Sequence, residues 1–272
     1  MRDEARRPAA ASTGLSGPAA LLRRADPDRF LTALFAPPGR RETLMLLYAV
    51  NHELARAREV GREPALALIR LHWWREVIEG ARRRHEVAGP LGEALDRGEL
   101  VGSDLMAMVD GREIEADPGI PTIDIWYTYL RGTAGALAQA AGRVLGGQGA
   151  ALDRLARLGV GYGIAGQIRS VAALARQGRC LLPHDVLAAH GLSAEAVFAR
   201  PDDARLRPVL AELAGQGRTM LRESGGALPR AVLAAGLPAV LARRDLARLG
   251  QSAPRGIADK LAVLAAFLSA RV

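Results

Sequence analysis

Three scarcities frame this 272-residue chain. Cys180 is its one cysteine, so no disulfide can close within it and no multi-cysteine zinc site can be built. Aromatic residues make up 4% of the chain, which leaves Leu, Ala and Val to do most of the packing. Ala and Leu are strong helix formers, whereas the β-branched and aromatic residues that strands prefer are thin. Lysine occurs only at Lys260, so the net charge of +8 and the pI near 10.7 are carried by arginine. That excess favours anionic partners: phosphates, nucleic acid or an acidic membrane surface.

Further absences narrow the classes. No apolar run reaches the ~18 residues needed to span a bilayer, and the opening MRDEARRP has no apolar segment of the secretory type. The sequence therefore predicts a soluble protein, cytoplasmic or peripheral at the inner face of a membrane. There is no P-loop, no internal repeat and no nucleic-acid module. The GVGYGIAG stretch falls inside an apolar helix with no strand before it, so a dinucleotide site fails on context. His52, His72, His85, His184 and His190 show no HExxH spacing and read as isolated surface or boundary residues. Arg82-Arg83-Arg84 reads as a solvated helix end, with no nucleic-acid partner expected.

What is present is a helical pattern. With 49% apolar residues and a mean hydropathy of +0.05, the chain can build a sizeable core. The sequence predicts a disordered tail over 1–18, rich in Ala, Arg, Pro, Ser and Gly, and one all-α domain over 19–272. Asp26-Pro27 signals a helix start, with a helix to 35 that Pro37-Pro38-Gly39 breaks. Helices follow over 40–60 and 64–86. Two short ones are expected between 89 and 116, with Ser103 as an N-cap. Others are expected over 122–145 and 150–176, from Ser193, and over 203–224, 229–242 and 256–270. Trp73 and Trp74 cannot share a face, so one belongs to the core and the other to a helix interface. Gly132, Gly135, Ala136, Ala140 and Gly142 are small enough for close helix approach. Tyr127 and Tyr129 are expected to pack between helices.

The stretch LMLLYAVNHELARARE organises the rest. Leu44, Leu47, Tyr48 and Leu54 recur at the spacing of a core-facing stripe. Tyr48, His52, Ala55, Arg56 and Glu59 form a second strip beside it, which lines a polar cavity or is a solvated flank. Glu53 with Arg56, and Glu59 with Arg62, are spaced for helix-surface pairs. Arg169 lies on an otherwise apolar helix, where an unpaired guanidinium is costly to bury. It needs an acidic or carbonyl partner, or a ligand, and is the leading pocket candidate. Arg179 is either a pocket residue or a loop anchor.

Four phrases together carry a resemblance: PPGRRETLMLLYAVNHELARARE, RLHWWRE, YLRGTAGALAQAAGRVLG and GYGIAGQIRSVAALARQGRCLLPHDVLAAHGLS. In this order and spacing they resemble the squalene/phytoene synthase family. The resemblance implies an isoprenoid-synthase fold, a bundle of helices around a central cavity. Active members condense two prenyl diphosphates head to head, with Mg²⁺ held by two aspartate-rich motifs on facing helices. The first motif, D-D-x-x-D, falls here on Ala55, Arg56 and Glu59. The second, D-x-x-x-D, falls on Ser170 and Leu174 after Arg169. Arg176, Gly178, Arg179, Leu182 and Pro183 keep the family's phrase.

Of the motif positions only Glu59 is acidic, and Arg56 puts a positive charge where a dication would sit. The resemblance thus implies no catalytic residues and no metal site; Mg²⁺ would matter only if the chain were an enzyme. Asn51, Glu53, Leu54 and Ala55 are similar to the N-x-E-L-A of the non-catalytic branch that includes the mitochondrial complex I assembly factor, and to bacterial relatives with the same substitutions. A terpenoid-synthase pseudoenzyme acting through another protein is the reading this favours. Two alternatives stay open. One is a prenyltransferase with an unusual site built from Glu53, Glu59, Arg169, Arg176 and Arg179. The other is a metal-independent pocket for a prenyl diphosphate or lipid phosphate, with Tyr48 and His52 in its wall and Arg56, Arg169, Arg176 and Arg179 as cations.

Overall fold

The structure is a computed structural model that describes residues 14–58, 63–249 and 254–272. Ser16 caps its first helix, α1 (Gly17–Ala25), by accepting a hydrogen bond from the Ala19 amide at 3.2 Å. Pro18 sits in the first turn and is buried, so Ser-Gly-Pro is a helix start. The tail predicted over 1–18 is corrected at its last residues, and positions 1–13 lie outside the described residues. Asp26 caps α2 (Pro27–Ala33) as predicted, its Oδ1 accepting from the Arg29 amide at 3.0 Å.

The organising stretch forms α3 (Pro38–Ala55), and the chain then tightens into a 3-10 turn at Arg56–Arg58. The helix expected to reach residue 60 therefore ends sooner. Next, α4 (Pro64–Ile78) stops well short of residue 86, because Gly80 takes φ +113°, a conformation open chiefly to glycine. The Arg82–Arg84 run consequently lies in a loop rather than at a helix end. There Arg83 pairs with Glu76 at 2.9 Å and Arg82 pairs with Asp96.

Between them, α5 (Ala88–Asp96) and α6 (Gly102–Glu113) fill the expected pair of short helices. Val101 occupies the N-cap position expected of Ser103, without a side-chain cap bond. After a 3-10 turn at Ile114–Ala116 come α7 (Ile123–Leu130), a π-helical turn at Arg131–Gly135 and α8 (Ala136–Val144). The predicted long helix over 122–145 is thus continuous but carries a π-bulge.

Then α9 (Ala150–Arg176) has the predicted extent. An unforeseen α10 (His184–Ala189) precedes α11 (Ala194–Ala199), which Ser193 caps. The remainder is α12 (Leu206–Ser224), α13 (Leu233–Gly236), α14 (Pro238–Arg248) and α15 (Ile257–Ser269). Among the described residues there is no strand, only isolated bridges at Ile120–Pro183 and Ala227–Arg271.

The architecture turns on α9, which runs through the middle against α8, α12, α14 and the π turn. One apolar cluster extends from Ala19 to Val272, with Trp126 and Tyr129 fully buried in it. Trp74 is buried and Trp73 half-buried, their rings edge-on at 4.9 Å. Where α6 crosses the π turn, backbones touch: a Cβ at Gly111 would lie 2.6 Å from the Gly132 carbonyl carbon. Backbone cannot rotate away as a side chain can. Gly111→Ala is expected to cost about 1–3 kcal/mol through forced separation of these elements, read as a Tm lower by several degrees in thermal unfolding. An unchanged Tm would mean that α6 is not held this closely.

Candidate functional site

Two charged clusters flank α9, and both are built from side chains that lie far apart in the chain. The first centres on Glu115, in the 3-10 turn that follows α6, and its carboxylate is buried. Its Oε1 accepts from Arg112 Nη1 at 2.5 Å and from the Tyr129 hydroxyl at 2.9 Å; its Oε2 accepts from Arg179 Nη2 at 2.5 Å. Arg112 also reaches Asn51 Oδ1 of α3 at 3.5 Å, and Gln167 of α9 donates to the Tyr129 oxygen at 3.4 Å. Arg58 Nε donates to the Glu115 carbonyl at 3.2 Å.

Burial alone would push the Glu115 carboxyl up. Arg112 and Arg179 more than reverse this and hold it below its ordinary value. Burial, with Glu115 beside it, pushes the Tyr129 hydroxyl up, so it remains a donor. Charge-assisted bonds of this kind are the strong ones, and here they bind α3, α6 and the loop after α9 around the Tyr129 hydroxyl of α7.

The second cluster answers what Arg169 requires. Its Nη1 lies 2.9 Å from Asp245 Oδ2 and 3.3 Å from Asp28 Oδ2. Arg255 spans the same two acids, at 2.6 Å to Asp28 and 2.5 Å to Asp245. Two guanidiniums and two carboxylates alternate, so each buried acid has two cationic neighbours. The ring ties α2, α9 and α14 to the segment entering α15. Beside it, Arg29 pairs with Asp26 at 2.7 Å and lies over the rings of Tyr162 and Tyr48, at 4.7 and 5.8 Å from their centroids. Burial pushes the Tyr162 hydroxyl up to about 12 and Tyr48 higher still.

The predicted site residues thus disperse. Tyr48 is a buried core residue against Arg29, next to a void of about 20 Å³, room for one water. His52 and Ala55 are half-buried. Glu53 pairs with Arg56 at 3.5 Å, the ordinary helix-spaced partner. Both face a surface pocket of about 220 Å³ with Arg70, Trp73, Trp74 and His85. Glu59 and its expected partner Arg62 lie outside the described residues.

On α9, the Ser170 hydroxyl donates to the Gly166 carbonyl of its own helix at 2.8 Å, and Leu174 packs against the core. Arg176 is exposed. Arg179 is brought to Glu115, whereas Arg169 belongs to the other ring. The crevice that Gln167, Leu174 and Arg179 share leaves no room for a water.

The Mg²⁺ that the resemblance implies for active members does not fit these residues. Mg²⁺ demands oxygen ligands in near-octahedral array. At the described motif positions stand a methyl group, a paired guanidinium, a hydroxyl turned back on its helix and an aliphatic chain. The buried carboxylate of Glu115 has both oxygens engaged by guanidinium groups, and among the described residues no three His, Cys, Asp or Glu side chains gather into a ligand set.

Glu115, Arg112, Asp28, Asp245 and Arg255 are the residues that sequence reasoning missed. The only local signal was the three-residue spacing of Arg112 and Glu115 at a helix end, which many solvated pairs share.

Comparison with known proteins adds three findings. The squalene/phytoene synthase family model matches residues 22–265. NADH dehydrogenase (ubiquinone) complex I, assembly factor 6 is 29% identical in Rattus norvegicus and 28% in Homo sapiens, each over 210 residues. Those alignments cover 75% of this chain but 63% of each relative, so the chain spans less than two thirds of their length. Among solved structures, a dehydrosqualene synthase in complex with ligand superposes with a TM-score of 0.76 at 15% identity, covering 93% of this chain and 94% of that one. Squalene synthase HpnC from Alicyclobacillus acidocaldarius gives 0.65 at 15% identity, covering 92% and 91%. At that identity the two structures establish the helical isoprenoid-synthase fold alone.

Proposed function

Since the chain belongs to the squalene/phytoene synthase family, we propose that it is a non-catalytic member of it, which acts by binding another protein in the manner of an assembly factor. The observation that carries this reading is the state of Glu115. Prenyl condensation begins with metal-assisted loss of diphosphate, which needs carboxylates free to bridge cations to phosphate oxygens. The buried acid between the motif-bearing helices α3 and α9 is instead saturated by Arg112, Arg179 and Tyr129. Ala55, Arg56, Ser170 and Leu174 supply no replacement. The similarity to complex I assembly factor 6 supports the second half of the reading, and makes subunits of a respiratory NADH dehydrogenase the partners to test first.

The test has two readouts on the full chain. Thermal unfolding with farnesyl or geranylgeranyl diphosphate, with and without Mg²⁺, is expected to show no metal-dependent stabilisation and no turnover. A ligand at ~100 times its Kd would add about 2.7 kcal/mol and move Tm by several degrees, so the measurement is sensitive. Stabilisation that requires Mg²⁺ would sink the non-catalytic half, and stabilisation without metal would favour an arginine-held phosphate ligand. In cells that make the chain, its removal is expected to lower the amount of assembled NADH dehydrogenase on native gels. Unchanged assembly would count against the partner class.

A further inference from the structure

The last helix is apolar on both sides, and only one side is covered. Asp259, Val263 and Ala266 of α15 face inward, and Phe267 packs on Phe35 with ring centroids 4.8 Å apart. The outer side exposes Ile257, Leu261, Leu264 and Leu268, at 77%, 57%, 40% and 64%. Positions 257, 261, 264 and 268 recur at four- and three-residue steps, one continuous ridge about 16 Å long. Leu34, the residue before Phe35, is exposed at 42%. A helix apolar all round normally lies in an interior, so this ridge has an unmet requirement for cover.

The charges around the ridge say what covers it. Lys260 is the one charged side chain that α15 presents outward. Arg271 follows the helix and is exposed, and Arg230 reaches over to the Leu268 carbonyl at 3.4 Å. The helix's one acid, Asp259, is turned inward and held by Arg244 and Arg248 at 2.5 and 2.8 Å. Among the described residues, the charges named at this face are therefore basic. The ridge is convex and purely aliphatic, without the Tyr, Trp or Arg anchors that mark the centre of a protein interface. Among the described residues no helix is long and apolar enough to cross a membrane. We infer that the outer face of α15 is a docking surface for an anionic lipid bilayer: Ile257, Leu261, Leu264 and Leu268 enter the interface, and Lys260, Arg230 and Arg271 meet lipid phosphates.

Flotation of the full chain with lipid vesicles tests this. The chain is expected to float with phosphatidylcholine vesicles containing phosphatidylglycerol, to bind pure phosphatidylcholine far less, and to lose binding as salt rises. Leu261→Glu combined with Leu268→Glu should lower partitioning about tenfold or more. The thermal unfolding of that variant should stay unchanged, because both side chains already face water. Lys260→Gln with Arg271→Gln should weaken binding to anionic vesicles alone, and serves as the readout if the leucine variant misfolds. Equal binding of wild type and both variants would overturn the proposal. So would a dimer in solution that the leucine variant abolishes, since a second copy would then be the cover. This outcome is independent of the prenyl diphosphate measurements, so either reading can fail alone.

Discussion

Glu115→Ala is expected to lower the stability of the fold by about 3–5 kcal/mol, the cost typical of removing one partner from a buried ion pair, and to lower Tm by about 6–20 °C. The reason is what remains. Arg112 and Arg179 are both largely buried, and without the carboxylate two guanidiniums face each other in a medium that screens them poorly. If uncompensated charge is the cause, the triple change Arg112→Met, Glu115→Leu, Arg179→Met should recover much of the loss, since apolar groups of similar volume are often tolerated in place of a buried network. Calorimetry or a denaturant titration of the two variants decides it. A Glu115→Ala cost below about 1 kcal/mol would mean that the carboxylate is not what joins α6 to the loop after α9.

The same residue sets an acid limit. The carboxyl of Glu115 lies below its ordinary value of 4.5 in the folded chain. The folded state therefore binds this proton less readily than the unfolded chain does. The resulting stability is fully present above the unfolded pKa and is lost as pH falls through the depressed folded one. A pH series on the wild type should show that loss below about pH 4.5, and Glu115→Gln should remove its share of the slope.

The second large effect belongs to Arg255. Arg255→Ala leaves Asp28 and Asp245, 8% and 9% exposed in their side chains, with Arg169 as their one remaining cation in the ring. A loss of about 3–5 kcal/mol is expected here too. Arg169→Ala should cost clearly less. Arg169 is 33% exposed against 14% for Arg255, and its bonds, at 2.9 and 3.3 Å, are longer than the 2.5 and 2.6 Å of Arg255. Thermal unfolding of the two variants side by side gives the order. If Arg169→Ala proved the more damaging, the ring would be organised by α9 rather than by the segment entering α15.

The helices were legible where local chemistry decides them. Asp26-Pro27 announces α2, and α9 is bounded by glycines and by the loss of its apolar pattern after Arg176. The overrun of α4 has a local cause that could be misread: Gly80 at φ +113° ends the helix, yet the charged residues beyond it suit a helix equally well. The π turn at Arg131–Gly135 leaves no mark on the residue pattern.

For the candidate site, the need was legible but the means were not. That Arg169 must have an acidic or carbonyl partner, or a ligand, follows from the cost of burying it, but the acids it meets stand 141 and 76 residues away. Glu113 and Glu115 look alike in the sequence. Glu113 meets Arg75 at the surface at 2.7 Å, while Glu115 is enclosed, and only the packing of α3, α7 and α9 separates the two fates.

The ring that Arg255 closes has a consequence in time. Asp28 and Arg255 are 227 residues apart, so on a ribosome adding about 5–20 residues per second the acid waits roughly 10–45 s for its partner. Through that interval Arg169 is the one cation of the ring that Asp28 can meet, and α2 rests on α9 through that longer bond and the contact of Arg29 with the Tyr162 ring. The ring is thus completed last, although one of its acids belongs to a helix made early. A nascent chain halted before residue 255 would present an unfinished seam along α9, open to chaperones and proteases until the closing arginine emerges.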